Sequence, residues 1–331
     1  MARSDLLVTL VKASTSGDRK VIRSTVEAMI AEEKARQHNG LAERLTNALN
    51  APTPSANGLG PVVLAGPVPK GRDYLSEILP RRRLADLVLA EEVRAAIADF
   101  VEEQTRADLL RAHGVEPRHR VMLVGPPGNG KTSLAEALAE ALGVGFFVVR
   151  YELLIGSYLG ETASRLRRIL DYARTTPCVL FFDEFDAIGK ERGDTHETGE
   201  IKRVVSSLLM QIDELPSYTV LVAATNHPEL VDRAAWRRFQ LRLDLPPPTA
   251  AEVARYVQSF FAKFNEPLGL SPKTIATKLG RISYSELEQF CLDVRRRQIL
   301  AQGGTSLKSI AQSQLKQWQQ RLNRAGAAGK Q

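Results

Sequence analysis

The sequence predicts an α/β protein built on a parallel sheet, with a small helical domain after it and a short helical domain before it. Three observations predict this. Short apolar runs alternate with amphipathic stretches: VMLV at 121–124, FFVV at 146–149, VLFF at 179–182, VLVAA at 220–224 and LRLDL at 241–245. Strand alternating with helix implies a parallel sheet covered on both faces. A glycine-rich octet separates the first run from the amphipathic stretch Ser133 to Leu142. Pro246-Pro247-Pro248 ends the alternation, and residues 249–301 read as helical.

Length and composition agree with that architecture. The chain has 331 residues, roughly two domains at about 150 residues each. Hydrophobic residues make up 44% and charged residues 25%, which excludes a wholly disordered, collagen-like or fibrous chain. Two cysteines, Cys178 and Cys291, exclude a disulfide framework and a four-cysteine zinc site and read as reduced thiols. No apolar run approaches the ~18 residues of a membrane helix. The stretch from Leu6 to Val11 is too short for a secretory signal, so the expected location is cytoplasmic.

Net charge is 45 − 38 = +7, unevenly placed. Residues 294–331 hold eight basic side chains (Arg295, Arg296, Arg297, Lys308, Lys316, Arg321, Arg324 and Lys330) and no acidic one. Residues 1–293 therefore sum to 7 − 8 = −1. Nucleic acid would have to bind through this tail, for which the plainer reading is a solvated helix face.

The elements follow in order. Residues 1–50 read as three short helices: Leu6, Leu7, Leu10 and Val11 share one face, Val21, Ile22, Thr25, Met29 and Ile30 a second, and Leu41, Leu45, Ala48 and Leu49 a third. Gly17-Asp18 and Asn39-Gly40 punctuate them. Such a module is too small for a generous core and is expected to dock on something else. Residues 51–73, rich in Pro and Gly, read as a flexible linker. The large α/β domain is placed at 74–248. Within it, Leu84, Leu87, Val88, Val93, Ile97 and Val101 give residues 84–112 a long amphipathic pattern. A small helical domain is placed at 249–304, where Ser283 and Glu286 form a capping-box pattern. Residues 305–331 read as an amphipathic helix, marked by Leu307, Ile310, Ala311, Leu315, Trp318 and Leu322, with a basic tail.

The octet Gly125-Pro126-Pro127-Gly128-Asn129-Gly130-Lys131-Thr132 fits G-x-x-x-x-G-K-[ST] and lies between a strand and a helix, as that motif requires. Gly128 and Gly130 let the backbone turn its N–H groups onto phosphate oxygens. The helix that starts beside them, with Ser133 in its first turn, adds a partial positive charge. Lys131 is expected to reach the β- and γ-phosphates, and the Thr132 hydroxyl to ligate Mg²⁺. The fold class is then that of a P-loop NTPase.

The run VLFF leads into Asp183-Glu184. Ligands of parallel sheets gather at strand C-termini. Asp183 is thus placed to hold Mg²⁺ or its waters, and Glu184 to orient or deprotonate an attacking water. Asn226 follows VLVAA and Thr225 and is expected between Glu184 and the γ-phosphate, holding that water; the alternative is a turn residue with an Asx bond. Cys178, beside VLFF, reads as packing.

GPPGNGKT, VLFFDE and VLVAATNHPELVDRAAWRRF, in this order and at these separations, resemble the AAA ATPase family, from about Leu84 to about Ala301. The likeness is to AAA proper, in the form of a stand-alone bacterial-type chain with one ATPase module. It implies ATP hydrolysis, with ATP and Mg²⁺ as ligands. It implies that Asp86-Leu87-Val88 lines the adenine pocket, with Asp86 and Val88 as contacts, and that Gly125 to Ser133 holds the phosphates. It further implies a homo-oligomeric ring, expected to be a hexamer, in which arginines of one subunit reach the γ-phosphate of the next. The family wording has two arginines around a Pro-Gly spacer. Trp236-Arg237-Arg238-Phe239-Gln240 lacks the spacer, and Arg237 and Arg238 are the candidates. Members that thread a polypeptide carry an aromatic–apolar–glycine loop after the second strand, where this chain has Tyr158-Leu159-Gly160. A second, charged loop, Lys190 to Thr198, would line the same channel. Ser283-Tyr284-Ser285-Glu286-Leu287 stands where the family has Ser-Gly-Ala-Asp-Leu and lacks the arginine that DNA-handling relatives carry there.

His196-Glu197-Thr198-Gly199-Glu200 begins like H-E-x-x-H but has Glu where the second zinc ligand must stand, so no protease centre is expected. Three functions remain in competition. One is an ATP-driven ring that remodels or threads a protein recruited by residues 1–50. A second is a nucleotide switch that controls a partner without threading. The third is a nucleic-acid-dependent ATPase that uses the basic tail. Tyr158 favours the first over the second, since a switch needs no pore aromatic. The near-neutral body and the missing arginine weigh against the third.

Overall fold

Six strands form one sheet: β1 (Leu75–Ile78), β2 (Arg120–Val124), β3 (Gly145–Val149), β4 (Cys178–Phe182), β5 (Thr219–Thr225) and β6 (Leu241–Asp244). Their order across the sheet is β1-β3-β4-β5-β2-β6. β1 runs antiparallel to β3; the remaining pairings are parallel. This computed structural model describes residues 24–28, 30, 71–150, 153, 159–186, 198–264, 268–302 and 304–328. The chain divides into two units, 1–66 and 67–331. In the first, residues 24–28 and Ile30 are helical and Thr25 is buried. The remainder of the reading of residues 1–50, and the linker up to residue 70, lie outside the described residues.

All five apolar runs are strands of this sheet. Every residue of β4 and β5 is buried, as befits strands covered on both faces. β1 is the strand that the sequence reading lacks. Its four residues are LSEI, and only Leu75 is buried, so it carries no apolar run to be found. Gly71, within the stretch read as linker, is buried, whereas Asp73 is exposed. A Cβ at Gly71 would lie 2.2 Å from the Arg168 carbonyl oxygen, and Gly71 holds φ 138°, a conformation open to glycine.

Helices cover both faces. α1 (Glu91–Thr105), α2 (Ala107–Ala112) and α3 (Lys131–Leu142) belong to one region of chain, α4 (Leu159–Ala173), α5 (Thr198–Asp213) and the short α6 (Arg233–Trp236) to another. Val93, Ile97 and Phe100 of α1 and Leu134 and Leu138 of α3 pack with Phe146, Phe181 and Val222. Leu166, Ile169 and Leu170 of α4 and Leu208, Leu209 and Ile212 of α5 pack with Phe147, Leu180 and Phe182. The amphipathic pattern of 84–112 is thus only partly helix. Leu84–Asp86 form a single 3-10 turn, and α1 starts at Glu91. Leu84 and Leu87 still pack against the α1–α3 core, from a non-helical segment.

α7 (Ala250–Ala262), α8 (Pro272–Leu279), α9 (Tyr284–Leu300) and α10 (Leu307–Ala328) follow the sheet. The capping box at Ser283 and Glu286 is formed, and a second joins Thr249 and Glu252 at the start of α7. Ile310, Ala311 and Leu315 of α10 sit in the same apolar cluster as Val257, Ile275, Leu287 and Phe290. Among the described residues, no helix is long and apolar enough to cross a membrane.

Candidate active site

The parallel register brings three loops to one edge of the sheet. Val124 of β2 pairs with Thr225 of β5, and Phe182 of β4 pairs with Ala223. The loops that leave these strands begin at Gly125, Asp183 and Asn226. Gly125 has φ 154°, and an added Cβ would lie 2.3 Å from the Leu245 carbonyl oxygen. Gly130, at φ 85°, caps α3 in the left-handed conformation. A Cβ there would meet nothing within 4 Å, so open space lies against this backbone. The first N–H groups of α3 have no partner within the helix. A glycine loop with free amides at a helix start is the form of a phosphate cradle.

Lys131 is almost fully buried. Its Nζ donates to the Gly125 carbonyl at 2.7 Å, the Pro126 carbonyl at 3.0 Å and Asn226 Oδ1 at 2.6 Å. Burial lowers its pKa, opposed by the nearby carboxylates of Asp183 and Asp186. The Thr132 hydroxyl donates to Asp183 Oδ2 at 3.3 Å. Those two oxygens lie beside the loop and match the hard-oxygen chemistry that Mg²⁺ takes. Among the described residues there is no group of three or more His, Cys, Asp or Glu that could hold a metal. Glu184 sits at φ 46°, a strained conformation for a residue with a Cβ. Its N–H donates to Asp183 Oδ1 at 3.0 Å.

A cleft of about 510 Å³ opens over these loops, a volume in the usual range of small-molecule sites. Asp86, Val88, Pro127, Gly128, Asn129, Gly130, Lys131, Thr132, Ser133, Asp183, Glu184 and Asn226 all line it. Gly125 and Pro126 do not; their carbonyls hold Lys131 instead. The opposite wall comes from the C-terminal helices. Tyr256, Phe260 and Tyr284 line it, with the Tyr256 and Tyr284 ring centroids 6.2 Å apart. Burial raises the pKa of both tyrosines. Lys263 reaches across to Asp86 at 3.2 Å. The Ser285 N–H donates to the Gly128 carbonyl at 2.9 Å, and a Cβ on Gly128 would lie 2.4 Å from the Ser285 hydroxyl. The sequence reading missed this wall. The spacing of Tyr256 and Phe260 marks one helix face, and it does not tell a core face from a cleft face.

Arg237 and Arg238 lie away from the cleft lining and differ from each other. Arg238 is half-buried, and its guanidinium donates to Asp213 Oδ2 at 3.0 Å, the Ala234 carbonyl at 2.7 Å and the Leu209 carbonyl at 3.3 Å. Asp213 also accepts from Arg120 at 2.8 Å. Arg120 opens β2, at the end of that strand opposite the glycine loop. Arg237 is exposed, and among the described residues its side chain has no partner. Tyr158 and residues 190–197, including the start of the zinc near-miss, lie outside the described residues. Leu159 and Gly160 open α4.

A mostly parallel sheet with this loop, this lysine and this acidic pair defines a P-loop nucleotide hydrolase. The family model described as "ATPase family associated with various cellular activities (AAA)" matches residues 121–247. The chain is 37% identical over 303 residues to y4kL of Sinorhizobium fredii, described as an uncharacterized AAA family ATPase; the match covers 91% of this chain and 90% of that one. It is 36% identical over 175 residues to the ATP-dependent zinc metalloprotease FtsH 2 of Symbiobacterium thermophilum, covering 50% of this chain and 30% of that one. It is 34% identical over 183 residues to a cell division cycle protein 48 homolog of Archaeoglobus fulgidus, covering 54% and 25%. The chain thus spans a third or less of these last two relatives. The protein belongs to the AAA family, and it is an ATPase.

Proposed function

We propose that this ATPase works as a homo-oligomeric ring, of six subunits, that remodels or threads a protein recruited by residues 1–50. The observation that carries the reading is the contrast between the two arginines. Arg238 is engaged within its own subunit. Arg237 next to it is exposed and does not line its own cleft. A free guanidinium suits the γ-phosphate of a second copy, because it is always charged and forks onto phosphate oxygens. Arg237 is therefore the arginine acting in trans, and Arg238 is the strut behind it.

Within the cleft, the lining residues support the following roles. The loop from Gly125 to Ser133 holds the phosphates, with Lys131 charged against them. The base lies between Asp86-Val88 and the aromatic wall of Tyr256, Phe260 and Tyr284. Thr132 and Asp183 hold Mg²⁺, which supplies neutralising charge to the phosphates when bound. Glu184 accepts the proton of the attacking water, and Asn226 orients that water.

The threading part of the proposal rests on Tyr158. Tyr158→Ala should lower the amount of a tagged test protein unfolded per ATP hydrolysed, since alanine offers no ring to grip a chain. Unchanged unfolding per ATP would remove the threading reading and leave the nucleotide switch.

A further inference from the structure

We propose that Thr225 is a positioning residue for hydrolysis, setting Glu184 and Asn226 in place through a buried hydroxyl. The proposal rests on the reading of those two residues given above. Thr225 ends β5 and is fully buried. Valine has the same shape and suits a buried strand at least as well, so a hydroxyl at this point needs a reason. Here it both donates and accepts. It donates to Asp186 Oδ1 at 2.6 Å and accepts the His227 N–H at 2.9 Å. The Thr225 carbonyl accepts the Gly125 N–H at 3.2 Å. One residue thus ties together the glycine loop, the acidic loop and the loop that carries Asn226.

The acidic loop is where a tie is needed. Glu184 is held at φ 46°, and strain of that kind persists only where the surroundings over-determine it. Three bonds hold its flanks. Asp183 Oδ1 accepts the Glu184 N–H at 3.0 Å. The Ala224 carbonyl accepts the Phe185 N–H at 2.8 Å. The Thr225 hydroxyl holds Asp186, two residues beyond Glu184. Two of the three come from the end of β5. On the other side, His227 is anchored to the same hydroxyl, which brackets Asn226 between two fixed residues. The Thr225 hydroxyl therefore helps to fix the spacing between the carboxylate of Glu184 and the amide of Asn226, whose Oδ1 is also held by Lys131 at 2.6 Å.

Thr225→Val removes the hydroxyl and keeps the packing; Thr225→Ser keeps the hydroxyl. The experiment measures kcat per nucleotide-binding site, KM for ATP and the melting temperature of both variants, beside Glu184→Gln. Loss of this tie should lower kcat about 10- to 100-fold, the scale of a small misplacement of reacting groups. KM should change little, because the phosphate loop and the base pocket remain. Thr225→Ser should recover most of kcat whatever its melting temperature. A Thr225→Val protein with wild-type kcat per site would overturn the proposal, as would equal losses of kcat in the Val and Ser variants. Full turnover in Glu184→Gln would overturn the site reading itself, a result separate from either.

Discussion

Arg237 and Arg238 are adjacent and chemically identical, yet their removal should be felt in different measurements. Arg238→Ala deletes the bonds to Asp213, to the Ala234 carbonyl and to the Leu209 carbonyl. Asp213 keeps Arg120 as a partner, so it is not left alone. The pair is partly exposed, with side-chain exposures of 27% for Arg238 and 46% for Asp213. Solvent screening therefore reduces its worth, and a loss of about 1–2 kcal/mol is the fair expectation. For a protein of this size that is roughly 1.5–3 °C in melting temperature. Arg237→Ala deletes no bond among the described residues and should leave the melting temperature of a dissociated subunit unchanged. Its cost should appear in turnover, where a trans arginine is worth about 10³-fold or more. Calorimetric melting of dilute subunits, paired with ATPase assays on the assembled protein, separates the two. Equal losses of turnover with unchanged melting in both variants would refute the division of labour, since both arginines would then be serving phosphate.

Further outcomes follow from the cleft. Glu184→Gln should bind ATP and lose turnover, because the amide keeps the shape but cannot take a proton, whereas Lys131→Ala should lose binding itself; nucleotide titration beside ATPase assays reads both. Burial holds the Lys131 ammonium below its ordinary value of 10.5, so the folded state disfavours its charged form. This cost to stability falls away as pH rises from the folded pKa toward 10.5. Phosphate charge should reverse the shift, so ATP binding just below that pH should take up protons. Calorimetry in buffers of different ionisation heat detects this, and heats independent of buffer would contradict it. Cys178 and Cys291 are fully buried, and burial pushes the Cys178 thiol up to about 12. Neither should react with iodoacetamide in the folded protein, and both should react in denaturant; rapid labelling of the native protein would show that the core opens.

What the sequence disclosed and what it withheld have physical reasons. β4 and β5 were legible because strands buried on both faces must be continuous apolar runs. The phosphate loop was legible because its chemistry needs particular residues at fixed spacing. β1 was not, because an edge strand with one buried side chain carries no pattern. The early end of the 84–112 pattern was missed because Leu84 and Leu87 meet the same core from a non-helical segment. The contacts that distinguish Arg238 from Arg237 and close the cleft were out of reach. Asp213 is 25 residues from Arg238, and Lys263 is 177 residues from Asp86. Only the folded sheet and the packed C-terminal helices make such residues neighbours. Thr225 stands in the sequence between the VLVAA run and Asn226 with no signal of its own, and its hydroxyl gains a meaning only from Asp186 and His227, which the fold brings to it.

The central claim is that a competent site needs Glu184 from one subunit and Arg237 from the next, and mixing tests it most directly. Arg237→Ala subunits have intact cleft carboxylates and no arginine to offer; Glu184→Gln subunits have the arginine and no base. Mixed with subunit exchange demonstrated by a fluorescent label, the two should form some interfaces that join an intact cleft to an intact Arg237. ATPase activity should then rise above the sum of the separate proteins, in proportion to such interfaces. Exchange without any recovery of activity would contradict the account and place the whole site within one chain.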